Sequence, residues 1–177
     1  MDNHPLAERA LFELAEQVGA ALKIRAMRLA TAESCTGGWV GEAVTAVPGS
    51  SDWFDRGFIT YSNEAKREML GVAAATLEQH GAVSEPTVRE MASGALNNSR
   101  AQAALAISGI AGPGGGTAEK PVGTVWIAWA FANGAVASEK RVFAGDRREV
   151  RQQAVERALQ GLLECLERGR DEGGMKH

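Results

Sequence analysis

The chain has 177 residues, 45% of them hydrophobic and 23% charged, which excludes disorder and low complexity for most of its length. A chain of this size buries roughly 70% of its unfolded surface, so it needs neither disulfides nor a metal to fold. Its 19 basic and 22 acidic residues leave a net charge of −3 with no long single-sign run, without the electrostatic footprint of a general nucleic-acid binder.

In chain order, Leu6 to about Arg25 reads as a helix, because Leu11, Leu14, Val18 and Leu22 recur three and four residues apart. Met27 to Ala32 reads as a short buried strand, followed by a Thr36-Gly37-Gly38 turn. Trp39, Val40, Ala43, Val44 and Val47 form a second helical stripe that Pro48-Gly49 stops. Phe54 to Tyr61 is aromatic and β-branched enough for a strand. Asn63 to Leu70 is a short helix ended by Gly71, and another ends near Gly81. Ser84 is placed to cap a helix from Glu85 to about Asn98, with Pro86 in its first turn.

Ala103 to Ile107 is a buried strand and Gly109 to Pro121 a glycine-rich loop. Val122–Ala132 and Ala135–Phe143 read as a hairpin turned at Asn133-Gly134. The last helix starts at Asp146, with Glu149 three residues on as a variant capping box. Arg168 to His177 carries both charge signs and three glycines, and reads as a frayed end. The alternation predicts a single α/β domain over residues 1–168, a layered fold with a mostly parallel, mixed sheet.

No apolar run reaches the roughly 18–20 residues of a membrane span, and Met1-Asp2-Asn3-His4-Pro5 does not open a signal peptide. Cys35 and Cys165 form no Cys-x-x-Cys pair, so a cytoplasmic protein with free thiols is expected. Two of the three histidines, His4 and His177, are terminal, so no histidine metal site is expected.

Chemistry-bearing segments sit where strands end, as ligand sites of open α/β sheets do. Thr31-Ala32-Glu33-Ser34-Cys35-Thr36-Gly37-Gly38 puts a hydroxyl and a thiol between a strand and a helix start, where free N–H groups suit an anion or a developing oxyanion. Ordinary capping by Ser34 or Thr36 is the alternative. Ala32 and Thr36 flank Ser34 where a nucleophile elbow needs glycines. Tyr61, the sole tyrosine, and Lys66 stand five apart and miss the Tyr-x-x-x-Lys spacing, yet they place a phenol and an amine close together. The third segment, Ser108-Gly109-Ile110-Ala111-Gly112-Pro113-Gly114-Gly115-Gly116-Thr117, lacks the Gly-Lys-Ser/Thr ending of a phosphate-binding loop.

Arg147 and Arg148 stand in the first turn of the last helix, against the macrodipole, where an anion would bridge them to free N–H groups. A serine activated by a partly desolvated lysine needs only Ser34 and Lys66. A pair with His80 or a Cys35 nucleophile is the less favoured option.

Together Ala32-Glu33-Ser34-Cys35-Thr36-Gly37-Gly38, Gly57-Phe58-Ile59-Thr60-Tyr61-Ser62-Asn63-Glu64-Ala65-Lys66, His80-Gly81-Ala82-Val83-Ser84, Ser108 to Gly115 and Gly145-Asp146-Arg147 resemble the motifs of the CinA C-terminal domain family, the nicotinamide-nucleotide amidases. The resemblance runs from about Leu6 to Leu166, in the stand-alone form without the extra N-terminal domain. It implies a three-layer α/β/α fold, a homo-oligomer, and hydrolysis of nicotinamide mononucleotide to nicotinic acid mononucleotide and ammonia, with no cofactor or metal. It implies Ser34 as nucleophile, Lys66 as its base and Tyr61 as an aid in holding or relaying the proton. It further implies Ser51, Ser108 and Arg147 as substrate contacts, with Glu33, Thr36, Gly37, Gly38 and Gly109 around them and Arg148 as a stand-in for Arg147. Two rivals stand beside this reading. One is a non-catalytic nucleotide-binding or competence-associated module, and the other an amidase or deaminase for a related nucleotide.

Overall fold

The computed structural model describes residues 6–173. Its elements are α1 (Leu6–Ile24), β1 (Leu29–Glu33), α2 (Trp39–Thr45), β2 (Phe54–Ile59), α3 (Asn63–Leu70), α4 (Ala74–His80), α5 (Glu85–Asn97), β3 (Ala103–Gly109), β4 (Thr124–Phe131), β5 (Val136–Val142) and α6 (Arg147–Gly173). The strands form one sheet in the order β2-β1-β3-β4-β5. β1 pairs in parallel with β2 and β3, and the β3–β4 and β4–β5 pairs are antiparallel. Only β4 therefore runs against the other four strands, the mixed and mostly parallel sheet that the alternation predicts.

Successive residues of a strand face opposite sides, so sequence alternation sorts the core into two layers. Leu29, Leu105, Ile107, Val125, Ile127 and Trp129 point to one side and pack with α1, α2 and α6 through Val18, Leu22, Val40, Leu159 and Leu162. Ala30, Ala32, Ala104, Ala106, Ala128 and Ala130 point to the other, under Val88, Met91, Ala92 and Ala95 of α5 and Leu70 of α3. One aromatic ring locks α6 on the first side. Trp129 donates its indole N–H to the Ala158 carbonyl at 2.9 Å. A side chain at Gly161 would collide with that ring.

The expected helix ends are formed as read. Ser62 caps α3 by accepting from the Ala65 N–H at 3.0 Å, and Ser84 caps α5. Asp146 and Glu149 form a reciprocal box, each backbone N–H donating to the other's carboxylate at 2.7 and 2.9 Å. Asn133-Gly134 turns the β4–β5 hairpin, with Gly134 at φ +91°.

Three boundaries differ from the reading. A turn of 3₁₀ helix forms at Ser50–Asp52, where no element is expected. β2 stops at Ile59 rather than Tyr61, because the carbonyls of Thr60 and Tyr61 leave the ladder for a side chain. α6 continues to Gly173, into the segment read as frayed; residues 174–177 lie outside the described residues. No helix among the described residues is long and apolar enough to cross a membrane.

Candidate active site

The carboxyl ends of β1, β2 and β3 lie side by side, with Glu33 in register with Ile59 on one side and Ile107 on the other. Ser34 follows directly, its N–H bonded to the Ile107 carbonyl at 3.0 Å. Thr60 leaves β2 at the same level, its N–H on the Glu33 carbonyl at 2.8 Å. Sheet register therefore delivers Ser34 and the Thr60–Tyr61 corner to one place, and α3 brings Lys66 into it from the side.

Lys66 is 1% exposed, and its Nζ lies 3.0 Å from Ser34 Oγ, 2.8 Å from the Thr60 carbonyl and 3.3 Å from the Tyr61 carbonyl. Burial holds its ammonium pKa below the ordinary lysine value, and only the distant charge of a Cys35 thiolate would oppose that. A neutral amine has two N–H bonds and one lone pair. Were the amine neutral, the two carbonyls, which can only accept, would take its two N–H bonds and leave the lone pair facing Ser34 Oγ.

The turn after Ser34 is built around Glu33. This carboxylate is 2% exposed and accepts from the Thr36 hydroxyl at 2.7 Å, the Val40 N–H at 2.9 Å and the Gly41 N–H at 3.1 Å. It holds the first turn of α2, as an anion at a helix start does. Its oxygens are turned inward and engaged within the chain. Gly37 and Gly38 carry φ of +60° and +104°, the left-handed region where a side chain is costly.

The Tyr61 phenol is exposed and accepts from Arg147 at 3.1 Å, while the Tyr61 main-chain carbonyl meets Lys66. Arg147 also donates to the Gly112 carbonyl at 2.8 Å, so it joins the Tyr61 corner to the glycine-rich loop. Ser108 is buried beside Ser34 and donates to the Ala82 carbonyl at 2.8 Å. Gly109 is explained by packing, because a Cβ there would strike Val125 and the Thr124 carbonyl. Ser51 does not join the site within this chain. It lies just before β2, at the amino end of the strands, where its carbonyl meets Arg28 and Trp53 bonds Leu29.

Burial pushes the Cys35 thiol up to about 11, so it is not a thiolate nucleophile at neutral pH. Among the described residues, no three His, Cys, Asp or Glu side chains cluster as a metal site needs. A cleft of about 1160 Å³ opens behind the turn, between α1 and the starts of α2 and α6, but neither Ser34 nor Lys66 lines it. Ser34 and Lys66 sit instead in the hydrogen-bonded group at the strand ends.

Sequence reasoning missed Arg151. Its Nε donates to the Cys35 carbonyl at 3.0 Å and its Nη2 to the Thr36 carbonyl at 3.2 Å. Its position four residues after Arg147, on one face of α6, was the available signal.

Fold and site together define a class: three-layer α/β/α proteins in which a turn at the carboxyl end of the sheet sets a serine against a buried lysine. The CinA C-terminal domain family matches residues 11–166, and the chain belongs to that family. It is 59% identical over 157 residues to "Nicotinamide-nucleotide amidohydrolase PncC" of Escherichia coli K12, covering 89% of this chain and 95% of that relative. To the protein of that name in Pseudomonas putida it is 51% identical, over 85% of this chain and 94% of the relative. Among solved structures, the competence/damage inducible protein CihA from Agrobacterium tumefaciens superposes with a TM-score of 0.87 at 46% identity, covering 94% of this chain and 99% of that one. A competence-damaged protein (CinA) superfamily protein from Klebsiella pneumoniae 700603 gives 0.86 at 46% identity, over 89% and 98%.

Proposed function

We propose that this chain is an amidase that hydrolyses nicotinamide mononucleotide to nicotinic acid mononucleotide and ammonia, with Ser34 as nucleophile and Lys66 as base. The observation that carries the mechanism is the buried Lys66 Nζ at 3.0 Å from Ser34 Oγ, with its pKa lowered by burial. The substrate rests on relatives named nicotinamide-nucleotide amidohydrolase, at 54–59% identity over most of their length.

Ser34 Oγ attacks the carboxamide carbon while its proton passes to the lone pair of Lys66 Nζ. The negative charge that gathers on the carboxamide oxygen is met by N–H groups of the turn that follows Ser34. Collapse of this intermediate breaks the C–N bond. Lys66 returns the proton to the departing nitrogen, so ammonia leaves and an acyl ester remains on Ser34. Lys66, neutral again, takes a proton from water, the hydroxide adds to the ester, and Ser34 Oγ departs with that proton. Arg147, exposed at the rim, offers a guanidinium to the nucleotide's phosphate or ribose.

Ammonia release from nicotinamide mononucleotide tests the reading. Wild-type release that disappears in a folded Ser34→Ala protein is the expected result. Normal release by that variant would remove Ser34 as nucleophile, and no release by folded wild type would remove the substrate.

A further inference from the structure

We infer that Arg151 is a positioning residue that fixes the oxyanion-holding peptide of the nucleophile turn, an assignment that rests on Ser34 being the nucleophile. The oxyanion must be met by N–H groups near Ser34, and the turn offers few. The Gly37 N–H is spent on the Ser34 carbonyl at 3.0 Å, and the Trp39 N–H on the Thr36 carbonyl at 3.1 Å. The N–H of Thr36, a fully buried residue, has no such partner among the described residues, and neither do those of Cys35 and Gly38. A buried N–H without a partner is rare and calls for a reason. A reaction-born oxygen anion supplies one.

The Cys35–Thr36 peptide carries that N–H, and Arg151 Nε holds the same peptide by its carbonyl. In a planar trans peptide the C=O and N–H point in opposite directions, so fixing one fixes the other. Arg151 Nη2 holds the next carbonyl, that of Thr36. Both bonds are needed because glycines follow at positive φ, and Gly37 and Gly38 give the turn freedom to swing. Trp39 keeps the guanidinium in place, lying 5.4 Å beneath it. The two arginines of one α6 face thus divide the work: Arg147 ties the rim, and Arg151 ties the peptide behind the nucleophile.

The test reads Ser34 reactivity both with and without the natural substrate. A fluorophosphonate probe reacts when Ser34 Oγ displaces fluoride from phosphorus and the phosphoryl oxygen occupies the oxyanion position, so it needs the turn but not nucleotide recognition. Arg151→Ala is expected to slow labelling of Ser34 on the order of 10²-fold, and to lower kcat on nicotinamide mononucleotide comparably with KM changed less than about two-fold. Arg151→Lys, which reaches one carbonyl and not two, falls between. The rising limb of the pH profile, set by Lys66, stays where it is. Arg157→Ala, on the same helix but paired with Glu139 and Glu164, is the control: it lowers Tm and leaves labelling unchanged. Wild-type labelling and kcat in a folded Arg151→Ala protein would overturn the assignment, as would a loss confined to KM or an equal loss in Arg157→Ala. A wild type that labels at Ser34 but ignores nicotinamide mononucleotide would reject the substrate alone, and the labelling rates would still decide Arg151.

Discussion

The two faces of the sheet solve the same packing problem with opposite materials. Toward α1, α2 and α6 the strands offer Leu29, Leu105, Ile107, Ile127 and Trp129; toward α5 they offer a floor of alanines. Long side chains hold helices off and tolerate adjustment. Alanines let a helix settle close, and the closeness continues outward: a Cβ at Gly94 of α5 would collide with the Leu70 carbonyl at the end of α3. The thin side therefore seats the helix that brings Lys66. The thick side carries α6, whose arginines steady the turn that brings Ser34. The proposed catalytic geometry is the meeting of one tightly gauged layer with one braced layer.

The largest effect comes from removing what the thin side delivers. Lys66→Met should lower kcat by on the order of 10³-fold or more, by loss of the base. Thermal unfolding of the same variant should show a Tm equal to or above wild type, since methionine fills the space without a charge to bury. A clear fall in Tm would mean the lysine is structural. Next, Gly94→Ala forces α3 and α5 apart, and should cost both stability and kcat. Ile107→Ala on the thick side should cost about 2–5 kcal/mol in denaturant unfolding. Its kcat should be nearly unchanged, and if the two variants lose activity equally the division of labour fails.

Smaller and still diagnostic is pH. Activity should rise with pH through a limb below the ordinary lysine value, because the neutral amine is the proposed base. Stability should rise through the same window. There the unfolded chain keeps a proton on Lys66 that the folded protein has released, and the burial penalty is felt in full below it. A flat profile would argue that Lys66 stays charged. The smallest effect belongs to Thr60→Val. The buried Thr60 hydroxyl has no hydrogen-bond partner among the described residues, so unfolding should move by less than about 1 kcal/mol in either direction.

Much of this was legible from pattern. Alternation in Ala103–Gly109 and Thr124–Phe131 sorts the two faces, Ser62, Ser84 and the Asp146–Glu149 box mark helix starts, and the motif segments fall at the strand ends. What stayed hidden depends on long-range register. The resemblance implies Ser51 as a substrate contact, but with β2 laid parallel to β1 it falls at the far end of the strands from Ser34. Glu33 reads as an available carboxylate because nothing local says that it turns back under α2. Arg151 reads as one more surface arginine until α6 crosses the sheet and meets residues 115 and 116 positions earlier in the chain.

That last separation sets an order of events. Both arginines that fasten the site reside in the final helix, whereas Ser34 and Lys66 belong to the first half of the chain. During synthesis the proposed catalytic pair leaves the ribosome well before its fasteners do. A growing chain thus holds a serine and a lysine with the turn still loose, and the proposed site is complete only when α6 docks over Trp129 and closes on Cys35 and Thr36.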